Sequence, residues 1–130
     1  MNHRFWLWAA GLLMCTSATA ETLDRKVKAN APAAVGGFFA YEMDTCYRRP
    51  IPDVKMRRAP ANGTVSIQLH ETTLGKDTTC PGHRVKGPVY VYMPRKGFKG
   101  VDEFTVDVPF ARSDTGVETL LSYTYRITVE

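Results

Sequence analysis

Few residues in this chain have side chains suited to chemistry. Cys46 and Cys80 lie far apart and form no Cys-x-x-Cys motif, which disfavours a redox pair. His70 and His83 flank Cys80, but the spacing matches no zinc pattern. Asp102, Glu103, Asp107 and Asp114 supply carboxylates without the spacing of a calcium loop. No Gly-x-Ser-x-Gly nucleophile elbow occurs, and no glycine-rich phosphate cradle. No catalytic set, cofactor or metal is therefore expected, and an uncharacterised hydrolase remains the minor alternative.

Two basic clusters stand out: Arg48, Arg49, Lys55, Arg57 and Arg58, then Arg84, Lys86, Arg95, Lys96 and Lys99. They suit a solvated charged face or loose attraction to anionic envelope polymers. The net charge of +4 is mild and does not call for nucleic acid as a partner.

The N-terminus bears on the cysteines. Arg4 precedes an apolar run from Phe5 to Cys15, of secretory h-region length and too short to span a bilayer. Ala18-Thr19-Ala20 is a small-x-small cleavage site. Residues 1–20 are read as a signal peptide cleaved near Ala20, giving a periplasmic or secreted protein. Met14 is too large for a lipid-attachment box at Cys15. Losing Cys15 leaves Cys46 and Cys80 in an oxidising compartment, where one disulfide is expected, stabilising by roughly 3–4 kcal/mol. No transmembrane segment is expected in the remaining chain.

Positioning these residues falls to short alternating segments. Residues 21–34 are polar, then Ala/Pro-rich, and read as a flexible leader ahead of a domain over 35–130. Phe38–Met43 reads as the first strand. Pro50 and Pro52 break the chain, and Val54–Arg57 alternates. After the Asn62-Gly63 turn, Val65, Ile67 and Leu69 share one face of a half-buried strand. Residues 71–87 read as a long loop tied back by the disulfide. Val89–Met93, Phe104–Val108 and Leu121–Val129 complete the pattern, with a polar turn over 112–116. The expectation is an all-β, antiparallel sandwich of about seven strands.

One corner is distinctive. Tyr92-x-Pro94, Gly97-Phe98-x-Gly100-x-Asp102-x-Phe104 and Tyr125-Arg126-Ile127-Thr128-Val129, with Asn62-Gly63 and Asp114-x-Gly116, resemble the bacterial Ig-like, cadherin-like domain family over Pro60–Val129. The resemblance implies an Ig-like β-sandwich with a structural or adhesive role and no enzyme chemistry. On folding grounds Gly97 and Gly100 permit the corner, Phe98 plugs the core, Asp102 accepts bonds from corner amides, and Phe104 points inward. The resemblance also implies that Tyr90 and Tyr92 point inward. Val89, Val91 and Met93 then form an outward stripe. It is either a partner or self-association surface, or it is covered by the leader or the 71–87 loop. The expected function is an exported structural or protein-interaction module of the cell envelope with an unknown partner. A second reading is a small periplasmic inhibitor or accessory protein that binds through residues 71–87.

Overall fold

A computed structural model describes residues 20–111 and 118–130. The expected signal peptide, apart from Ala20, and the expected turn over 112–116 with Asp114 lie outside these residues. The described residues form seven strands: β1 (Glu21–Val27), β2 (Ala33–Gly37), β3 (Lys55–Arg58), β4 (Gly63–Thr73), β5 (Arg84–Pro94), β6 (Gly100–Ala111) and β7 (Glu118–Val129). One sheet has the order β1-β7-β6-β3 and the other β2-β5-β4. All pairings are antiparallel except β1 with β7. The chain is an all-β sandwich.

Alternation fills the space between the sheets. Tyr90 and Tyr92 of β5 face Phe104, Val106 and Val108 of β6 and Tyr125, Ile127 and Val129 of β7, all buried. Phe104 stacks on Tyr125 with ring centroids 5.0 Å apart, and Tyr90 meets Tyr125 edge-on at 5.6 Å. The Tyr90 hydroxyl is buried and has no hydrogen-bond partner among the described residues. Burial, reinforced by Tyr125 and Tyr123, pushes its pKa up.

The corner between β5 and β6 joins the two sheets. Phe98 N–H donates to Arg95 O at 2.9 Å, and Gly97 and Gly100 take positive φ values of 79° and 140°. The Asp102 carboxylate is buried at 4% exposure just beyond it. It accepts from Ala61 N, Asn62 N and Glu103 N, each at 3.0 Å, and from the Tyr92 hydroxyl at 2.8 Å. Asp102 was expected to bond amides of its own corner. It bonds one of them, Glu103 N–H, and reaches beyond the corner to the β3–β4 turn, which brings the Ala61 and Asn62 N–H groups to the buried carboxylate. Burial, then the bond to Asp102, pushes the Tyr92 hydroxyl pKa up.

Several expectations need correction. Residues 21–34 are not a leader: β1 pairs in parallel with β7 from Glu21↔Tyr123 to Val27↔Val129, and β2 begins at Ala33. Backbone pairing with the long β7 holds β1, and its only buried side chain is Val27. Phe38–Met43 forms no strand and contributes only the isolated bridge Tyr41↔Arg48. The smaller Ala33–Gly37 pairs with β5 instead, since a Cβ at Gly36 would collide with the Tyr125 ring. The 71–87 loop shrinks to residues 74–83, because β4 runs to Thr73 and β5 starts at Arg84 in unbroken register. Gly87 serves that register, since a Cβ there would strike the Phe38 carbonyl.

The β4 row departs in a different way. Val65 is half-buried, whereas Ile67 and Leu69 are 38% and 59% exposed. They lie opposite Tyr90 and Pro88 on the core-facing side, but β3, the strand across from them, has only four residues. The sandwich therefore gapes along this edge.

Replacing Asp102 by Ala leaves the Tyr92 hydroxyl and two turn amides without an acceptor. Urea denaturation of Asp102→Ala is expected to show a loss of roughly 2–4 kcal/mol. An unchanged midpoint would mean that the carboxylate is not a clamp.

Candidate binding cleft

At the end of the sandwich far from Asp102, residues 38–53 fold back over the tip of β6. Glu42 N–H donates to Tyr47 O at 2.9 Å, Cys46 N–H to Glu42 O at 2.8 Å and Arg49 N–H to Ala40 O at 3.1 Å. These bonds close a tight excursion in which Cys46 has a positive φ of 60°. The expected Cys46–Cys80 disulfide is formed, with Cα atoms 5.7 Å apart, and it fastens the excursion to the β4–β5 loop. Arg48 adds a second tie, donating to Arg84 O at 2.9 Å and pairing with Glu71 at 3.6 Å.

Arg49 makes the third attachment. Its Nε donates to Glu42 Oε1 at 2.7 Å and its Nη1 to Ala111 O at 3.0 Å. The guanidinium lies over the Phe110 ring, 4.9 Å from the centroid. Only 14% of this side chain is exposed. Phe110 also meets Phe38 edge-on at 6.0 Å. A planar fork that bonds two groups while stacking on a ring is a role lysine cannot fill.

Between excursion and strand runs a cleft of about 710 Å³, lined by Tyr47, Pro50, Ile51, Pro52, Pro109 and Phe110, with Glu42, Asp53 and Glu118 at its margins. That volume lies within the range of small-ligand and side-chain pockets. Its lining is mainly apolar; of its charged groups Arg49 pairs with Glu42, Arg48 with Glu71 and Asp53 with Lys55. Tyr47 is 73% exposed and Ile51 42%. Met43, on the same excursion, is also exposed. Such walls can take up apolar or aromatic side chains.

The residues singled out by type are largely committed to structure. Asp107 accepts from Ser122 at 2.6 Å and Arg57 at 2.7 Å, and Glu103 accepts from Arg126 at 2.9 Å. Desolvation pushes the Asp107 pKa up, but the bonds from Ser122 and Arg57 outweigh it and the net shift is downward. Among the described residues, no group of His, Cys, Asp and Glu could hold a metal ion. Each member of the first basic cluster lies beside a carboxylate: Arg48 by Glu71, Arg49 by Glu42, Lys55 by Asp53, Arg57 by Asp107 and Arg58 by Glu103, with Glu71 shared by Arg84 and Glu103 by Arg126.

The outward stripe exists but is incomplete. Val89 and Val91 are half-buried and Met93 is 38% exposed. A Cβ on Gly37 would lie 3.4 Å from Val89 Cγ2 and 3.5 Å from Phe39 Cε2, which places the Phe39 ring beside Val89. The cleft itself was not foreseen. Its walls come from residues about sixty positions apart, although Pro50-Ile51-Pro52 and Pro109-Phe110 were visible as unusual apolar, proline-bearing pairs. No helix of the described residues is long and apolar enough to cross a membrane. No known family, curated protein or solved structure matches the chain.

Reduction of Cys46–Cys80 should lower stability by roughly 3–4 kcal/mol, given a separation of 34 residues. Hydrogen exchange of the reduced protein is expected to accelerate at Glu42, Cys46 and Arg49 while the β6–β7 amides stay protected. Uniform acceleration would show that the excursion is not a separate unit.

Proposed function

We propose that this chain is an exported, single-domain Ig-like module that grips a protein partner in the cell envelope and performs no catalysis. The observation that carries this reading is the apolar cleft, held open by a disulfide and by Arg49, with Tyr47 and Ile51 at its lip. Aromatic and aliphatic anchors in a preformed pocket are the usual source of interface energy. The commitment of Asp102, Glu103 and Asp107 to internal bonds supports the non-catalytic part.

Strand order supports the Ig-like part. Lettered in chain order, the sheets read A-G-F-C and B-E-D. The constant-type immunoglobulin sandwich, A-B-E-D over C-F-G, differs in where the first strand lies. The disulfide is compatible with export to the periplasm or beyond, and cleavage near Ala20 would deliver β1 intact to the folded protein.

A photo-crosslinking residue placed at Tyr47 or Ile51 should give a discrete protein adduct in cells, and the same probe at Asp24 on β1 should not. The adduct should fade by at least about tenfold with Arg49→Ala, which removes the wall without touching the probe. No adduct from either cleft position, or equal labelling from Asp24, would overturn this reading.

A further inference from the structure

Among the described residues four strands are sheet edges, and three of them are guarded. β1 exposes Glu21, Asp24, Arg25 and Lys26. β2 has five residues with a bulge between Ala34 and Gly36. β3 has four residues, three of them basic, with a bulge between Met56 and Arg58. Charge, shortness and bulges are the devices that stop edges from pairing with other chains.

β4 carries none of them. It has 11 residues paired to β5 without a register shift, no proline, no lysine or arginine, and one carboxylate, Glu71, near its end. Its centre, Val65-Ser66-Ile67-Gln68-Leu69, is uncharged. Ile67 and Leu69 are exposed on the face where neighbouring strands bury their side chains.

The same five residues are symmetric in character about Ile67. One step either way is polar (Ser66, Gln68), two steps apolar (Val65, Leu69), and three steps polar (Thr64, His70). We propose that β4 is a self-association edge, which pairs antiparallel with β4 of a second copy of this chain about a two-fold axis through Ile67. The two Ile67 side chains then face each other, and Val65 of each copy faces Leu69 of the other. Outside, Ser66 faces Gln68 and Thr64 faces His70. Glu71 falls opposite Gly63, so no like charges meet. A one-residue slip would set apolar against polar side chains along the whole strand, which excludes the odd registers.

The gaping edge supplies a receptor for the same contact. A groove of about 420 Å³, lined by Met56, Ala59, Pro60, Val65 and Ile67, opens beside the apolar row. Leu69, the most exposed side chain of the row, is placed over Val65 of the other copy and so at that groove. Knob and hole lie on one strand and its flank, as a closed two-fold interface requires. The product is a six-stranded sheet of order β2-β5-β4-β4-β5-β2, with the cleft ends of both copies left free.

The test is sedimentation of the purified protein over a range of concentrations, with cysteine crosslinking to read the register. The expected result is a concentration-dependent dimer. Ile67→Lys sets like charges face to face on the axis and should weaken it by at least about tenfold, with the circular dichroism and melting temperature of the parent. Ile67→Cys should form an intermolecular disulfide on mild oxidation. Gln68→Cys, which faces Ser66, should not. A monomer at all concentrations overturns the proposal. So does a dimer indifferent to Ile67→Lys, or one that crosslinks equally through both cysteines.

Discussion

A single buried carboxylate holds this sandwich in register. Asp102 sits at the start of β6, where the chain has just crossed from one sheet to the other, and it accepts four hydrogen bonds. A carboxylate with so little access to water is costly unless donors surround it. Here they come from three places: the next residue, the β3–β4 turn and the Tyr92 hydroxyl of the opposing sheet. The bond to Tyr92 joins the sheets directly. The bonds to Ala61 and Asn62 fix where β4 begins. The glycines of the corner exist to bring the carboxylate to this point.

The far end is built on a different principle. No buried charge organises it. A disulfide, a stacked arginine and a few backbone bonds hold an irregular excursion against the tip of β6. Such attachments fix a loop without filling the space beneath it, and the cleft is what remains. The molecule thus has a closed end, where polar groups satisfy one another, and an open end, where apolar groups meet solvent. Scaffold and cleft are separated along the length of β6. The β4 edge is a third region, left open because β3 is too short to cover it.

Much of the scaffold was legible in the residues. Period-two alternation set the facing of Phe104, Val106 and Val108, the family resemblance that of Tyr90 and Tyr92, and the cysteine pair was the one an exported domain would form. Most of what was not legible depends on partners remote in sequence. β1 is held by backbone bonds to β7, and its mostly charged side chains give no sign of them. β2 is chosen for its small residues, because the Tyr125 ring needs the room at Gly36, a requirement set by a strand some ninety positions away. Gly87-Pro88 looked like a break and lies inside the central strand. Exposure at Ile67 and Leu69 was hidden for the opposite reason, since alternation marks which face a side chain takes and not whether anything opposes it. The cleft depends on the pairing of Arg49 with Ala111 and Phe110, which no local pattern encodes.

The Asp102 clamp joins the two sheets, and native-state hydrogen exchange at Ala61 and Asn62 tests it most directly. Both amides lie in a surface turn, where exchange is ordinarily fast. Bonded to a buried carboxylate, they should instead exchange as slowly as the amide of Phe104 in the core of β6, opening only when the whole domain unfolds. Exchange at the rate of an unprotected turn would contradict the clamp and the cross-sheet register that depends on it.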